Sequence, residues 1–71
     1  KTMKIEYDKE VDAAYIYIKY PIANGEASKS LAVNENIILD FNKEGKLIGV
    51  EVLSAEKILG KEVLQEKISI S

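Results

Sequence analysis

Hydrophobic and polar residues alternate in several short segments of the chain, and this pattern predicts β-strands. A period of two is typical of a strand with one buried face, whereas a helix would repeat its apolar positions every three to four residues. The segments that predict strands are residues 3–7, 13–20, 37–41 and 46–53, with a further short extended segment from Ser30 to Val33.

The second segment is apolar on both faces. Ile16 and Ile18 lie on one face and Tyr15 and Tyr17 on the other, and β-branched and aromatic residues favour a strand over a helix. A strand of this kind is usually central in its sheet, or is covered on its second face.

Polar residues and glycines separate these segments. Residues 8–12, 21–28 and 34–36 are predicted to be turns or loops. Between the last two strands, Asn42-Lys43-Glu44-Gly45 suits a type I turn closed by a left-handed residue, which predicts a bulged hairpin. Gly49 lies inside a strand, where a glycine indicates a bulge or a close approach, here by the helix.

A short helix is predicted directly after the last strand. Ser54 is the predicted N-cap, the apolar stripe includes Ile58 and Leu59, and Gly60 is able to end the helix. Two interpretations stay open beyond Gly60. The helix continues to Glu66, or the alternation in residues 67–71 forms a strand.

The predicted fold is therefore α+β: an antiparallel β-meander of about four strands with one short helix packed on a face. Residues 3–71 are expected to form a single small domain, with Lys1 and Thr2 as an expression remnant or an overhang without a structural role, and residues 60–71 as a tail of undetermined structure. The predicted core consists of Ile5, Ile16, Ile18, Ile37, Leu39, Phe41, Ile48, Val50, Val52, Ile58 and Leu59.

Composition excludes several kinds of chemistry. The 71 residues contain no His, Cys, Trp or Arg, so imidazole bases, thiolate nucleophiles, disulfides and arginine phosphate clamps are all ruled out. The net charge of −2 argues against nucleic-acid binding, which usually requires a basic surplus. No apolar run approaches the roughly 20 residues of a membrane span. We expect a cytoplasmic protein without a cofactor.

Three segments carry a resemblance to a known family. They are Met3–Asp8 followed by Asp12–Ile16, then Asn36–Phe41, and then Gly45–Ala55. Their order and spacing resemble a family of small bacterial and archaeal proteins named only as a domain of unknown function. The resemblance covers residues 3 to about 59 and implies a compact α+β domain with no established activity. It also suggests pairing with small toxin-type proteins, and it supplies no catalytic residue.

Carboxylates are the only acid–base groups available. Asp8, Asp12 and Asp40 are the candidate ligands of a metal ion such as Mg²⁺, or the acids of a hydrolytic site. The alternative is structural: Asp8 and Asp12 cap amides of their turn, Asp40 ends a strand, and Glu51 faces water. The absence of histidine and of a calcium-loop spacing favours the structural interpretation.

Tyrosines are the candidate interface residues. Tyr15 and Tyr17 share a face, Tyr7 is expected on the adjacent strand beside them, and Ile38 and Leu47 add apolar surface. This surface exceeds what one helix covers, which suggests a homodimer or a small protein partner. The alternatives are burial in the core under the helix and, less favoured on charge, stacking on nucleic acid.

These observations predict a non-catalytic protein-interaction module that self-associates or pairs with a small, antitoxin-like protein. The alternative is a carboxylate-dependent metal-binding or hydrolytic domain.

Overall fold

A computed structural model describes residues 3–66 and 69–70 of the chain. Lys1 and Thr2, and most of the alternating segment 67–71, lie outside the described residues. The elements are β1 (Met3–Asp8), β2 (Ala13–Tyr17), β3 (Lys29–Ala32), β4 (Ile37–Phe41), β5 (Leu47–Leu53), α1 (Ala55–Leu59), α2 (Lys61–Glu66) and β6 (Ser69–Ile70).

All strands join one antiparallel sheet in the order β3-β4-β5-β2-β1-β6. The α+β class is confirmed, but the predicted four-stranded meander is wrong. The described residues contain five strands of four or more residues and the two-residue β6. The chain forms a hairpin, β1–β2, and a meander, β3–β4–β5, and the two are joined because β5 pairs with β2. The doubly apolar β2 is therefore central, between β1 and β5.

The predicted turn between β4 and β5 is confirmed. The Gly45 amide donates to the Asn42 carbonyl at 3.0 Å, and Gly45 has a φ of 84°. The Asn42 side chain accepts from the amides of Glu44 and Lys46. Asparagine at the first position and a left-handed glycine at the last are the features that the sequence pattern requires.

Two short helices follow β5 where one was predicted. Gly60 has a φ of 87° and its amide donates to the Glu56 carbonyl, which ends α1, and α2 then begins at Lys61. Ser54 is left-handed, with a φ of 53°, and its side chain forms no capping bond within the described residues. Ser54 is thus the N-cap residue, as predicted, but its side chain does not cap the helix.

The core lies between these helices and one face of the sheet. Its buried members are Ala14, Val52, Ala55 and Leu64, with Ile5, Tyr7, Ile16, Val50 and Leu59 packed against them. Ala14 of β2 and Val52 of β5 are directly opposite each other, and Ala55 of α1 belongs to the same cluster. Ile58, predicted to be in the core, is exposed. Ile48 is buried outside this cluster.

Strand register separates the two faces of the sheet. Tyr7 is opposite Ala14 and Ile16 is opposite Val50, so these residues share the face that the helices cover. Tyr15 is opposite Glu51, and Glu51 is opposite Ile38. These residues share the other face. Neither helix in the described part of the chain is long and apolar enough to cross a membrane.

Candidate interaction face

The face of the sheet away from the helices carries Tyr15, Tyr17 and Ile38, and we call it the tyrosine face. Tyr20, in the connection after β2, extends it. The rings of Tyr15 and Tyr17 pack edge to face with centroids 4.8 Å apart, and those of Tyr17 and Tyr20 do so at 5.0 Å. Edge-to-face contacts of this kind are favourable and directional. The three rings therefore form a continuous row.

Tyr15 is anchored across the middle of the sheet. Its hydroxyl donates to Asp40 Oδ2 at 2.7 Å, and Asp40 Oδ1 accepts from the Ser30 hydroxyl at 2.6 Å. Partial burial, followed by the hydrogen bond to Asp40, raises the pKa of the Tyr15 phenol well above its usual range. The hydroxyl is therefore a fixed donor at neutral pH and not a nucleophile.

Gly49 makes this arrangement possible. The Tyr15 ring lies over it so closely that a Cβ at residue 49 would overlap the end of the phenol ring. The close approach predicted at this glycine is confirmed, but the neighbour is Tyr15 and not a helix. A register shift between Asp40 and Phe41 lies beside it.

Tyr17 and Tyr20 are held by residues of β1 on the same face. The Tyr17 hydroxyl donates to Glu6 at 3.0 Å, and partial burial together with this bond raises the pKa of Tyr17. Lys4 donates to the Tyr20 hydroxyl at 3.2 Å and pairs with Glu6 at 3.2 Å. Its ammonium also lies 4.4 Å from the centroid of the Tyr20 ring, within cation–π range.

The connection between β2 and β3 borders the tyrosine face. Ile22, Ala23 and Ala27 line a shallow groove together with Tyr15 and Tyr17. Lys19 and Glu26 hold this connection through an ion pair at 2.9 Å. The amide of Ala23 and then Lys19 lower the pKa of Glu26.

Two of the predicted interface residues lie elsewhere. Tyr7 is opposite Ala14 and packs against the core under the helices, so the expectation that it lies beside Tyr15 and Tyr17 is wrong. Leu47 lies beyond the register shift, opposite Phe41, and is exposed. Ile38 remains on the tyrosine face.

The structure gives the three candidate metal ligands separate structural partners. Asp8 accepts from the amide of Glu10 in the first turn, as the structural interpretation requires. Asp40 binds hydroxyl groups on the tyrosine face. Asp12 accepts from the Tyr7 hydroxyl at 2.7 Å and from the Glu56 amide of α1 at 3.0 Å. In residues 3–66 and 69–70 no three acidic side chains come together as a metal site would require.

Asp12 thus acts as the remote cap of α1. Its carbonyl also accepts from the Ala55 amide at 2.9 Å. The hydrogen bond to Asp12 is the main cause that raises the pKa of Tyr7 to about 12. Asp12 was predicted to cap its own turn, and no sequence pattern near the helix indicates this long-range contact.

Comparison with known proteins places this arrangement in a family. Residues 4–56 match a family described as proteins of unknown function, DUF2283. The chain belongs to DUF2283. The matched segment contains β1 to β5 and the start of α1, and therefore both the tyrosine row and its anchoring carboxylates.

A curated relative of the DUF2283 chain is the uncharacterized protein MJ0789 of Methanocaldococcus jannaschii. It is 34% identical over 56 residues, which are 79% of this chain and 44% of the relative. The chain therefore spans less than half of that relative's length. No solved structure matches it.

Part of the tyrosine face of the DUF2283 chain was not predicted from the sequence. The missed residues are Lys4 and Glu6, which bind Tyr20 and Tyr17, Ser30, which binds Asp40, and Tyr20, which extends the row of rings. Positions 4 and 6 alternate with the apolar residues of β1, so a β1–β2 hairpin places them beside Tyr15 and Tyr17. The contribution of Ser30 depends on the pairing of β3 with β4.

Proposed function

We propose that this protein is a non-catalytic protein-interaction module that binds a second copy of itself or a small protein partner through the tyrosine face. The observation that carries the proposal is that both helices pack on one face of the sheet, while the other presents an ordered row of tyrosines. Tyrosine combines a large apolar ring with a polar tip, and it is enriched at protein interfaces.

The row is also held rigid before any partner binds. The Tyr15 and Tyr17 hydroxyls are bound to Asp40 and Glu6, and Lys4 holds Tyr20. A surface that is already ordered loses less side-chain entropy on binding, which favours affinity. The rigid row therefore supports a binding role.

The surroundings of the row are polar and carry both signs of charge. An open groove along the β1–β2 hairpin is lined by Lys4, Glu6 and Glu51 beside Tyr15. A polar, charged rim around an apolar centre is the usual composition of a protein interface. A nucleic-acid surface would instead require an excess of positive charge.

The carboxylate-dependent alternative receives no comparable support. Asp8, Asp12 and Asp40 each bind a hydroxyl or an amide of the protein. Such contacts account for the three carboxylates without a metal ion. A thermal melt with millimolar Mg²⁺, Mn²⁺ or Ca²⁺ would raise Tm if a folded-state site existed, and we expect no shift.

The test of the proposal places a charge on the tyrosine face. Ile38→Lys adds an ammonium to the tyrosine face opposite Glu51. Val63→Lys is the control, since Val63 is 41% exposed on α2, and the helices pack on the other face of the sheet. We expect Ile38→Lys to abolish self-association or capture of a stoichiometric small partner, measured by light scattering and affinity purification. Val63→Lys should preserve it.

A second variant, Tyr15→Ser with Tyr17→Ser, removes the row itself. Circular dichroism and urea unfolding check that each variant is folded. A protein that stays monomeric and binds no partner contradicts the proposal, as does association that survives both tyrosine-face variants.

A further inference from the structure

We infer that a second copy of this chain pairs with the free edge of β3, antiparallel and with Leu31 on the twofold axis, so that the sheet continues through a dimer. The inference goes beyond the proposed function, because it places self-association at a second surface, the sheet edge, and not at the tyrosine face. The two surfaces are therefore tested separately.

Within residues 3–66 and 69–70, the edge of β3 presents main-chain groups that no neighbouring strand uses. β3 is the terminal strand of the sheet and pairs with β4 on one side. The Val33 amide donates to the Ile37 carbonyl at 2.8 Å. Because main-chain groups alternate in direction along an antiparallel strand, those of Leu31 also face β4. Those of Ser30 and Ala32 therefore point away from the sheet.

These outward groups are self-complementary about Leu31. In an antiparallel twofold pair centred there, Ser30 lies opposite Ala32 of the second copy, and Ala32 lies opposite Ser30. Each of these two pairs exchanges two N–H···O bonds, which gives four in total. Leu31 then faces its own copy in a non-hydrogen-bonded pair, where side chains approach most closely.

Exposed apolar side chains line the same edge. Leu31 is 54% exposed and Val33 is 56% exposed. By strand alternation, both lie on the face of the sheet that carries Leu39. Soluble proteins usually protect such an edge with proline, a bulge or central charges. The strand Lys29-Ser30-Leu31-Ala32 carries its charge only at one end.

Charge also favours a second copy over an unrelated strand. In the register centred on Leu31, Lys29 lies opposite Val33 of the second copy, where that copy's turn from β3 into β4 carries Glu35. Lys29 and Glu35 are both exposed. The twofold axis repeats the contact, so opposite charges meet at both ends of the paired strands. The β3 edge, with an apolar centre and oppositely charged ends, is therefore complementary to the same edge of a second copy.

A cysteine scan tests this register directly, because the chain contains no cysteine. In Leu31→Cys the two sulfurs meet across the axis, since a non-hydrogen-bonded pair has a Cα separation of about 4.5 Å, within the range of a disulfide. In the matched control Val33→Cys the two thiols lie four residues apart along the strands, or about 13 Å. Both sites are similarly exposed.

We expect mild oxidation to link Leu31→Cys into a covalent dimer roughly 100-fold faster than Val33→Cys at about 10 µM protein. This is the ratio of a millimolar effective concentration to the bulk concentration. Non-reducing electrophoresis measures the rates. Equal rates for the two variants would overturn the register and the pairing.

A second variant tests the main-chain bonds without cysteine chemistry. Ala32→Pro removes an outward amide that β4 does not use, and proline is tolerated on edge strands. Sedimentation should show a dimer for the natural sequence and a monomer for Ala32→Pro, with the circular dichroism spectrum unchanged. Should Ala32→Pro unfold, the charge reversals Lys29→Glu and Glu35→Lys replace it. Each alone should weaken the dimer, and the two together should restore it.

The outcomes separate this inference from the proposed function. A dimer that survives Ala32→Pro, or the replacing charge reversals, but is lost in Ile38→Lys overturns edge pairing and supports the tyrosine face. A monomer that binds a small partner also overturns edge pairing. A monomer without any partner overturns both.

Discussion

Substituting Gly49 by alanine should destabilise the protein, although alanine is normally the better residue inside a strand. The three atoms nearest to the added Cβ all belong to the Tyr15 ring, and all lie closer than real Cβ contacts allow. The ring must therefore move. Its hydroxyl is bound to Asp40 and its edge packs on Tyr17, so movement sacrifices both contacts.

The magnitude follows from these contacts. A hydrogen bond to a charged acceptor contributes about 1.5–3 kcal/mol, and partial exposure of the site lowers this to about 1–2 kcal/mol, since water replaces part of the lost bond. Overpacking adds a cost of similar size. Replacing glycine within a strand returns about 0.5–1 kcal/mol of chain entropy. We therefore expect Gly49→Ala to lower the free energy of unfolding by about 1–3.5 kcal/mol.

The decisive comparison repeats the substitution without the ring. In a Tyr15→Ala background the obstacle is absent, so Gly49→Ala should raise the free energy of unfolding by about 0.5–1 kcal/mol. Urea unfolding of the four proteins completes a double-mutant cycle. The contact would be refuted if Gly49→Ala had the same effect in both backgrounds.

Three further experiments test the cap of α1, the packing of α2 and the hydrogen bonds of the tyrosines. Asp12→Ala should lower the free energy of unfolding, measured with urea, by about 2 kcal/mol, because it removes the cap of α1 and places alanine at a φ of 54°. Asp12→Asn should lower it by less than about 0.5 kcal/mol, since asparagine caps helices and tolerates this φ. Asp12→Asn should also bring the pKa of Tyr7 down from about 12, seen as tyrosinate absorbance at a lower pH. Leu64→Ala should lower the free energy of unfolding by about 2–4 kcal/mol, because Leu64 is 4% exposed. Val63 is 41% exposed, so Val63→Ala should lower it by under about 1 kcal/mol. Equal losses for the two variants would contradict the packing of α2. Stability should be constant from about pH 8 to about pH 10 and then fall, because the pKa values of Tyr7, Tyr15 and Tyr17 are raised in the folded state, so the unfolded chain releases protons first. Unfolding by urea from pH 8 to 11.5 measures this, and stability that rises above pH 10 would contradict the hydrogen bonds.

Local patterns were sufficient to predict most of the strands and the hairpin turn. The alternation in β1, β4 and β5 reports directly which side chains share a face, and the turn after Phe41 depends on four consecutive residues. The short segment at β3 was predicted for the same reason. Each of these features is determined by neighbours in sequence.

The features that the sequence did not predict depend on distant contacts. The pairing of β2 with β5 brings Tyr15 over Gly49 and next to Asp40, and nothing near any one of these residues indicates the other two. The cap of α1 comes from Asp12, 44 residues before Glu56. The sequence pattern predicts a local cap at Ser54 because it contains no information on Asp12. In the structure the left-handed backbone of Ser54 turns the chain from β5 into α1.

Alternation within a strand also assigns the tyrosines of the candidate site to their faces. Tyr15 and Tyr17 could be placed on one face because they alternate within one strand. Tyr7 was misplaced although it alternates with Ile5, a predicted core residue, within β1, so a period of two already assigns both residues to the core face. The pairing of Tyr7 with Ala14 places it under the helices.

The pairing of β2 with β5 has a consequence for how the chain folds. Tyr17 and Gly49 are 32 residues apart in sequence, whereas the β1–β2 hairpin and the β3–β4–β5 meander close through short local turns. The hairpin and the meander are thus able to form early, and their docking is the slow step, since non-local contacts limit folding rates. The free-energy cost of closing a loop, which is entropic, rises by only about 0.6 kcal/mol for each doubling of the loop length. Residues inserted between Glu26 and Ala27, which leave the contacts of Lys19, Tyr20 and Glu26 in place, should therefore slow folding while changing equilibrium stability little.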